Sequence, residues 1–275
     1  MSSPVVSSSS PAHLSPLLSE ADPPAISVLR PEATTPLLLV CDHAAYRVPV
    51  GLGDLGLPAS ELQRHIGWDI GAQAMTEVLS EHFDASAVSA SYSRLVIDPN
   101  RAPGDPSAIP QESDGTAIPA NADLSEEAAE ARTEALFWPY HHEISTRLAH
   151  LRRVSGKPPA ILGVHSCTDW MDGAWRPWEI GILYAHDDRL ARPFIDVLRR
   201  QNPDLTIGDN QPYSGKEVGY TVNTHGEAAG LPYAGIEVRQ DLIGDADGAA
   251  KWAKILARAL DVVLAEETLY RVEMR

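Results

Sequence analysis

The chain has 275 residues, of which 44% are hydrophobic, and this suits a globular protein with a full core. Its formal net charge of −16 argues against sequence-independent nucleic-acid binding and against anionic membranes. Two cysteines are too few for a disulfide framework, and no apolar run approaches the roughly 20 residues that span a bilayer. We therefore expect a cytoplasmic protein that is not membrane-integral.

Residues 1–35 are rich in serine and proline and show no sustained periodicity. Such a segment buries too little apolar surface to offset the entropy of ordering. It also lacks the basic start and the long apolar run of a secretory signal. We predict a disordered tail over 1–35 and a single folded domain over 36–275.

From residue 36 onward, strand patterns alternate with helix patterns. The continuous apolar run 37–41 is typical of a strand buried on both faces. Similar patterns predict further strands over 92–97, 160–164, 180–185 and 234–238. Amphipathic spacing predicts helices over 69–83, 125–153 (kinked or divided by Pro139), 189–200 and 249–265. This alternation predicts a three-layer α/β/α domain with a mainly parallel sheet, and the proline-rich stretch 102–124 predicts a long surface loop.

Ligands of open α/β sheets bind beyond the carboxyl ends of the strands, so the polar residues there are the first candidates for a site. No glycine-rich phosphate loop follows any predicted strand, which leaves a nucleotide site unsupported. The polar residues at these ends are Asp42, His43, Asp98, Asn100, Arg101, His165, Ser166, Glu237 and Arg239, and Arg94 lies within the predicted strand 92–97.

His43 and His165 suggest a zinc site, because imidazole is the commonest zinc ligand and a catalytic zinc ion needs three protein ligands. Asp69 is a candidate third ligand. It also opens a predicted helix, where aspartate is a favoured N-cap, and both interpretations remain open. No local pair of ligands at helical spacing reinforces the metal interpretation.

Glu237 lies inside an apolar strand, where a carboxylate is unfavourable unless it is paired or functional. It could act as a general base beside a metal ion, or it could pair with Arg239. Arg94 and Arg101 suit bidentate capture of a substrate carboxylate, and they could equally pair with acidic side chains.

Several other residues are weaker candidates for the pocket wall. His141 and His142 point about 100° apart on a helix, so one of them at most faces a site. His225 lies in a loop-like stretch. A Cys–His hydrolase is a further alternative, because Cys41 and Cys167 lie two residues from His43 and His165, although small buried cysteines usually just pack.

The order and spacing of a set of short motifs resemble the N-formylglutamate amidohydrolase family over roughly residues 36–265. The motifs are VCDHA at 40–44, WDIGA at 68–72, SR at 93–94, NR at 100–101, PYH at 139–141, HS at 165–166 and GIEVRQDL at 235–242. A further stretch, NQPYSG at 210–215 with GYT at 219–221, resembles one branch of that family.

The resemblance implies a zinc-dependent amide hydrolase whose fold is similar to that of zinc carboxypeptidases and aspartoacylases. It implies that Glu237 is the base and that His43 and His165 bind zinc. It also implies a small acidic substrate such as N-formylglutamate, which would yield formate and glutamate as a step of bacterial histidine degradation. The substrate-binding residues expected on this basis are Arg94, Asn100, Arg101, His141, His225 and Arg239.

One position departs from the pattern of the related enzymes, which place a glutamate three residues after the first zinc histidine. Tyr46 stands there in this chain, so we expect Asp69 to complete the metal site. Two alternatives remain: the same chemistry on another N-acyl amino acid or a peptide end, and a non-catalytic binding protein on a hydrolase fold.

Overall fold

The structure is a computed structural model that describes residues 16–171 and 173–274. A seven-stranded sheet forms its centre. Four adjacent strands run parallel, in the spatial order β3 (Ser86–Ala90), β2 (Leu37–Cys41), β6 (Ala160–Cys167) and β11 (Tyr233–Arg239). At one edge, β1 (Ile26–Leu29) pairs antiparallel with β3. At the other edge, β9 (Ile180–Leu183) pairs antiparallel with β11, and β10 (Ile207–Asp209) runs parallel to β9.

Helices cover both faces of this sheet. One face is covered by α2 (Ala72–Phe83), α5 (Ala191–Gln201) and α7 (Ala246–Leu264). The other is covered by α4 (Trp138–Ser155), which α3 (Glu126–Arg132) precedes. The remaining elements are short: α1 (Ala59–Leu62), α6 (Tyr220–Val222), and two hairpins formed by β4 (Glu112–Ser113) with β5 (Thr116–Ala117) and by β7 (Trp170–Met171) with β8 (Ala174–Trp175). The three-layer prediction is confirmed.

β2 shows why an unbroken apolar run forms a central strand. Successive side chains of a strand point to opposite faces. Leu37 and Leu39 therefore pack under α2, α5 and α7, whereas Leu38 and Val40 pack under α4. Every residue of β2 is buried, because helices cover both faces of the sheet.

The prediction of a strand over 92–97 is wrong. The segment is a series of turns, in which the Ser93 hydroxyl donates to the Gly67 carbonyl oxygen at 2.8 Å and accepts from the Leu95 N–H at 3.2 Å. Leu95, Val96 and Ile97 are buried in a second apolar cluster outside the sheet. These residues are therefore apolar because they lie in a buried turn. The strand of this part of the chain is β3, which is built from small residues.

The prediction of a disordered tail is wrong where β1 forms. Ile26 to Leu29 pair with β3 in the register Ile26 with Ala90 and Leu29 with Ala87. The folded domain therefore begins before residue 36. Residues 1–15 of the predicted tail lie outside the described residues.

The long helix predicted over 125–153 is divided next to Pro139, as expected. A π-helical turn over Thr133–Phe137 separates α3 from α4, and Pro139 is near the start of α4. Proline has no N–H to donate to the preceding turn, so the regular ladder cannot pass through it. The predicted loop 102–124 contains the β4–β5 hairpin. Among the described residues, no helix is both long and apolar enough to cross a bilayer.

Candidate metal centre and active site

Three side chains from separate segments meet at the carboxyl ends of the central strands. His43 follows β2, His165 lies near the end of β6, and Asp69 precedes α2. One ligand atom from each lies within 4.8 Å of the others, and all three residues are buried. Nδ1 of His43 and Nδ1 of His165 lie 3.3 and 2.9 Å from Oδ2 of Asp69. The three predicted metal ligands therefore form one cluster.

Asp69 is not the N-cap of a helix. That position of α2 is Gly71, and no side chain accepts a capping hydrogen bond there. The Asp69 N–H instead donates to the His43 carbonyl oxygen at 2.9 Å, which places its carboxylate beside the two rings. Gly71 has φ +81°, and a Cβ there would lie 2.1 Å from the Ile243 carbonyl oxygen. Glycine thus allows the chain to turn from Asp69 directly into α2.

Each histidine has a second carboxylate at its other ring nitrogen. Nε2 of His43 lies 2.7 Å from Oδ1 of Asp98, and Nε2 of His165 lies 3.1 Å from Oδ2 of Asp42. A carboxylate in this position holds the ring with Nε2–H as the donor and leaves Nδ1 free for a metal ion. Sequence reasoning placed Asp42 and Asp98 at strand ends and assigned them no role.

The charges around the cluster keep its carboxylates ionised, as a carboxylate that binds a metal ion must be. Burial alone would raise the pKa of Asp69, but His43 and His165 outweigh it and hold that pKa well below its ordinary value. Burial also opposes the ionisation of Asp98, and Arg94 and His43 hold its pKa well below the ordinary value. Two imidazoles and one carboxylate form a donor set that catalytic zinc sites use, with a further position open for water or substrate. The residues present therefore fit zinc.

Glu237 lies beside this cluster. It is the strand partner of His165 in the β6–β11 pair, and both residues line one cavity of about 330 Å³. Among the described residues it forms no ion pair or hydrogen bond, because Arg239 pairs with Asp241 at 2.7 Å. Burial raises the pKa of Glu237 to about 7. A carboxyl group with free oxygens and a pKa near neutrality suits a general base.

Arg94, Asn100 and Arg101 line the same cavity. The Arg94 guanidinium lies 2.7 Å from Oδ2 of Asp98 and 3.5 Å from Oδ1 of Asp69. Arg94 therefore pairs with carboxylates of the site while it lines the cavity, and its role in substrate capture stays a prediction. Within the described part of the chain Arg101 forms no ion pair, so it is the cation available to a substrate carboxylate.

The model of the N-formylglutamate amidohydrolase family matches residues 35–244. The chain belongs to this family. A crystal structure of a gene product of Agrobacterium tumefaciens is 38% identical, covers 90% of this chain and 98% of its own, and has a TM-score of 0.86. The N-formylglutamate amidohydrolase of Ralstonia eutropha is 18% identical, covers 87% of this chain and 97% of its own, and has a TM-score of 0.67, so it shares the fold. A search of curated proteins found no match.

Three residues predicted to bind substrate lie elsewhere in this member of the amidohydrolase family. His141 and His225 form a pair, with 2.9 Å between Nδ1 of His141 and Nε2 of His225. Arg239 lies under the Trp175 ring, 4.6 Å from its centroid. None of the three is among the described residues that line the cavity, so their role in substrate binding stays a prediction.

The cavity wall also includes side chains to which the sequence analysis assigned no role. These are His65, Ser166, Thr168 and Tyr213. Cys167 lines the cavity too, but burial raises the pKa of its thiol well above the ordinary value, which argues against a thiolate nucleophile. Tyr46, at the position that departs from the family pattern, is 40% exposed and packs edge-on against Trp68. It does not belong to the metal cluster.

Proposed function

We propose that this protein is a zinc-dependent amidohydrolase that cleaves N-formylglutamate into formate and glutamate. Family membership supports amide hydrolysis. The buried group of His43, Asp69 and His165 supports a metal ion. The observation that carries the proposal is Glu237, a carboxyl group without a partner among the described residues, in the same cavity as this group.

Zinc held by His43, Asp69 and His165 would polarise the formyl carbonyl and make a water molecule more acidic. Glu237 accepts a proton from the attacking water at a carboxylate oxygen. The water oxygen bonds to the formyl carbon, the carbon–nitrogen bond breaks, and Glu237 returns the proton to the departing nitrogen. Formate and the free amine of glutamate result.

Other residues of the cavity hold the substrate and the cluster in place. Arg101 binds a substrate carboxylate, and Asn100 supports it. Arg94 keeps Asp69 and Asp98 ionised and oriented. We further propose that the protein acts in the cytoplasm, in histidine degradation. Its two cysteines are unpaired and buried, which supports a reducing compartment.

The test is Glu237→Gln, which keeps the shape of the side chain and removes the base. We expect unchanged zinc content and substrate affinity, with turnover lowered about 10²- to 10⁴-fold. Glu227→Gln is the control, because Glu227 is a partly buried carboxylate that does not line the cavity. It accepts a hydrogen bond from the Tyr233 hydroxyl. Near-normal turnover of Glu237→Gln would refute the mechanism.

A second candidate is the hydrolysis of N-acyl amino acids that carry a single carboxylate. It is favoured by the ion pairs of Arg94, which leave Arg101 as the available cation of the cavity. Comparing kcat/KM for N-formylglutamate, N-formylmethionine and N-acetylglutamate separates the two. A non-catalytic binding protein would hold zinc, would release no formate from the two formyl compounds and would release no acetate from N-acetylglutamate.

A further inference from the structure

Thr221 contacts two separate parts of the site. Its hydroxyl donates to Oδ1 of Asp42 at 2.8 Å, and its backbone N–H donates to Oδ1 of Asn100 at 3.0 Å. Asp42 in turn contacts Nε2 of His165, and Asn100 lines the cavity with Arg101. Thr221 thus links the carboxylate of Asp42, which orients a metal ligand, to the side-chain amide of Asn100 at the substrate end of the cavity.

The surroundings of Thr221 make both contacts specific. Thr221 is fully buried, and so is Asp42. Its N–H lies in the first turn of α6, where a helix leaves its N–H groups without partners in the helix, so that the Asn100 oxygen satisfies it. The chain enters this turn through Gly219 at φ +97°, a backbone conformation that favours glycine.

Tyr140 provides an internal comparison. Its hydroxyl donates to the same Oδ1 of Asp42, at 2.7 Å. It therefore supports the metal side of the site without the second bond to Asn100 that Thr221 forms. If Thr221 served only to satisfy Asp42, losing either hydroxyl would have the same consequences.

We propose that Thr221 is a positioning residue that couples the metal-binding side of the site to the carboxylate-binding side. Its bond to Asp42 fixes the backbone at residue 221, and the N–H fixed in this way sets the orientation of the Asn100 amide. The substrate part of this inference rests on the proposed function, whereas its metal part rests on the His165–Asp42–Thr221 contacts.

The first experiment compares Thr221→Val, Thr221→Ser and Tyr140→Phe. We measure the zinc dissociation constant by chelator competition, and KM for N-formylglutamate at saturating zinc. Thr221→Val should weaken zinc binding by up to about tenfold, the lower end of the range for a direct partner of a metal ligand, because Thr221 acts through Asp42, and it should also raise KM. Tyr140→Phe should weaken zinc binding and leave KM unchanged. Thr221→Ser should restore both values, because it keeps the hydroxyl.

The second experiment tests the coupling without any measurement of activity. Asn100→Ala removes the acceptor of the Thr221 N–H and should weaken zinc binding in the parent protein. In the Thr221→Val background it should have no further effect, so the two substitutions should be non-additive. Thr76→Val is the control for losing a buried threonine hydroxyl, since Thr76 donates to the Ala72 carbonyl oxygen within α2. It should lower the melting temperature and leave zinc affinity unchanged.

Two results would overturn the coupling: KM unchanged in Thr221→Val at saturating zinc, or additive effects of Thr221→Val and Asn100→Ala on zinc affinity. A parent protein that binds zinc but releases no formate from N-formylglutamate would refute the proposed function alone. The zinc measurements would then still decide the role of Thr221. A parent protein without zinc affinity would refute both.

Discussion

Asp98→Asn should weaken zinc binding, although the substituted residue does not bind the metal ion. Oδ1 of Asp98 accepts from Nε2 of His43 at 2.7 Å and from the Asn100 N–H at 2.8 Å, while Oδ2 lies 2.7 Å from Arg94. An asparagine that keeps its oxygen toward the first two donors must turn its NH₂ group toward the Arg94 guanidinium. The reverse orientation removes the acceptor of His43, so either orientation loses one contact.

Loss of such an outer-shell partner typically lowers metal affinity 10- to 100-fold, or about 1.4–2.7 kcal/mol. Chelator competition on the parent and on Asp98→Asn measures this change directly. The matched control is Asp261→Asn, which breaks an exposed contact between Asp261 and His82 at 3.1 Å, on the surface of the protein. A zinc dissociation constant of Asp98→Asn within twofold of the parent value would refute the assigned orientation of His43.

Three further predictions concern substrate, pH and chain length. Arg101→Ala should raise KM about 10- to 100-fold, because a charge-assisted carboxylate contact is lost. Steady-state kinetics at saturating zinc will show whether kcat changes by a smaller factor than KM. Burial, reinforced by His141, lowers the pKa of His225 to about 4 in the folded protein, below its ordinary value of 6.5. The unfolded chain therefore takes up a proton that the folded chain does not, so the free energy of unfolding should fall as the pH falls from about 6.5 to 4; urea unfolding should show a smaller fall for His225→Gln. Removing residues 1–35 deletes β1 and uncovers the edge of β3, so the melting temperature should fall, and an unchanged value would show that β1 adds no stability.

The parts of the fold that the sequence predicts well are those with strong and long patterns. β2 is an unbroken apolar run, and α7 keeps its helical spacing over Ala246–Leu264. β3 is built from serine, alanine and a single valine, so composition does not distinguish it from a loop. β1 has only four residues and owes its order to pairing with β3, which is a tertiary effect.

For the candidate site, the sequence indicated which residues could bind a metal ion, but it did not indicate the contacts between them and their neighbours. His43, Asp69 and His165 could be selected because their chemistry suits a metal and their segments lead to one edge of the sheet. The partners of the histidines could not be assigned, because Asp42 is adjacent to His43 in sequence and yet contacts His165. The ion pairs of Arg94 could not be predicted for a similar reason, since the sequence does not show that Asp98 and Asp69 contact its guanidinium.

The pairing of His165 with Glu237 across β6 and β11 also determines when the site can form during folding. A slip of one residue between these strands would turn Glu237 to the opposite face of the sheet. Parallel strands that are distant in sequence pair slowly, because a long loop must close first. The ligands His43 and His165 approach each other when β2 pairs with β6, and Glu237 joins them when β11 pairs with β6. Zinc therefore meets a complete site only after strand pairing, so it should slow unfolding and leave the refolding rate unchanged, because it stabilises the finished sheet and does not direct its assembly.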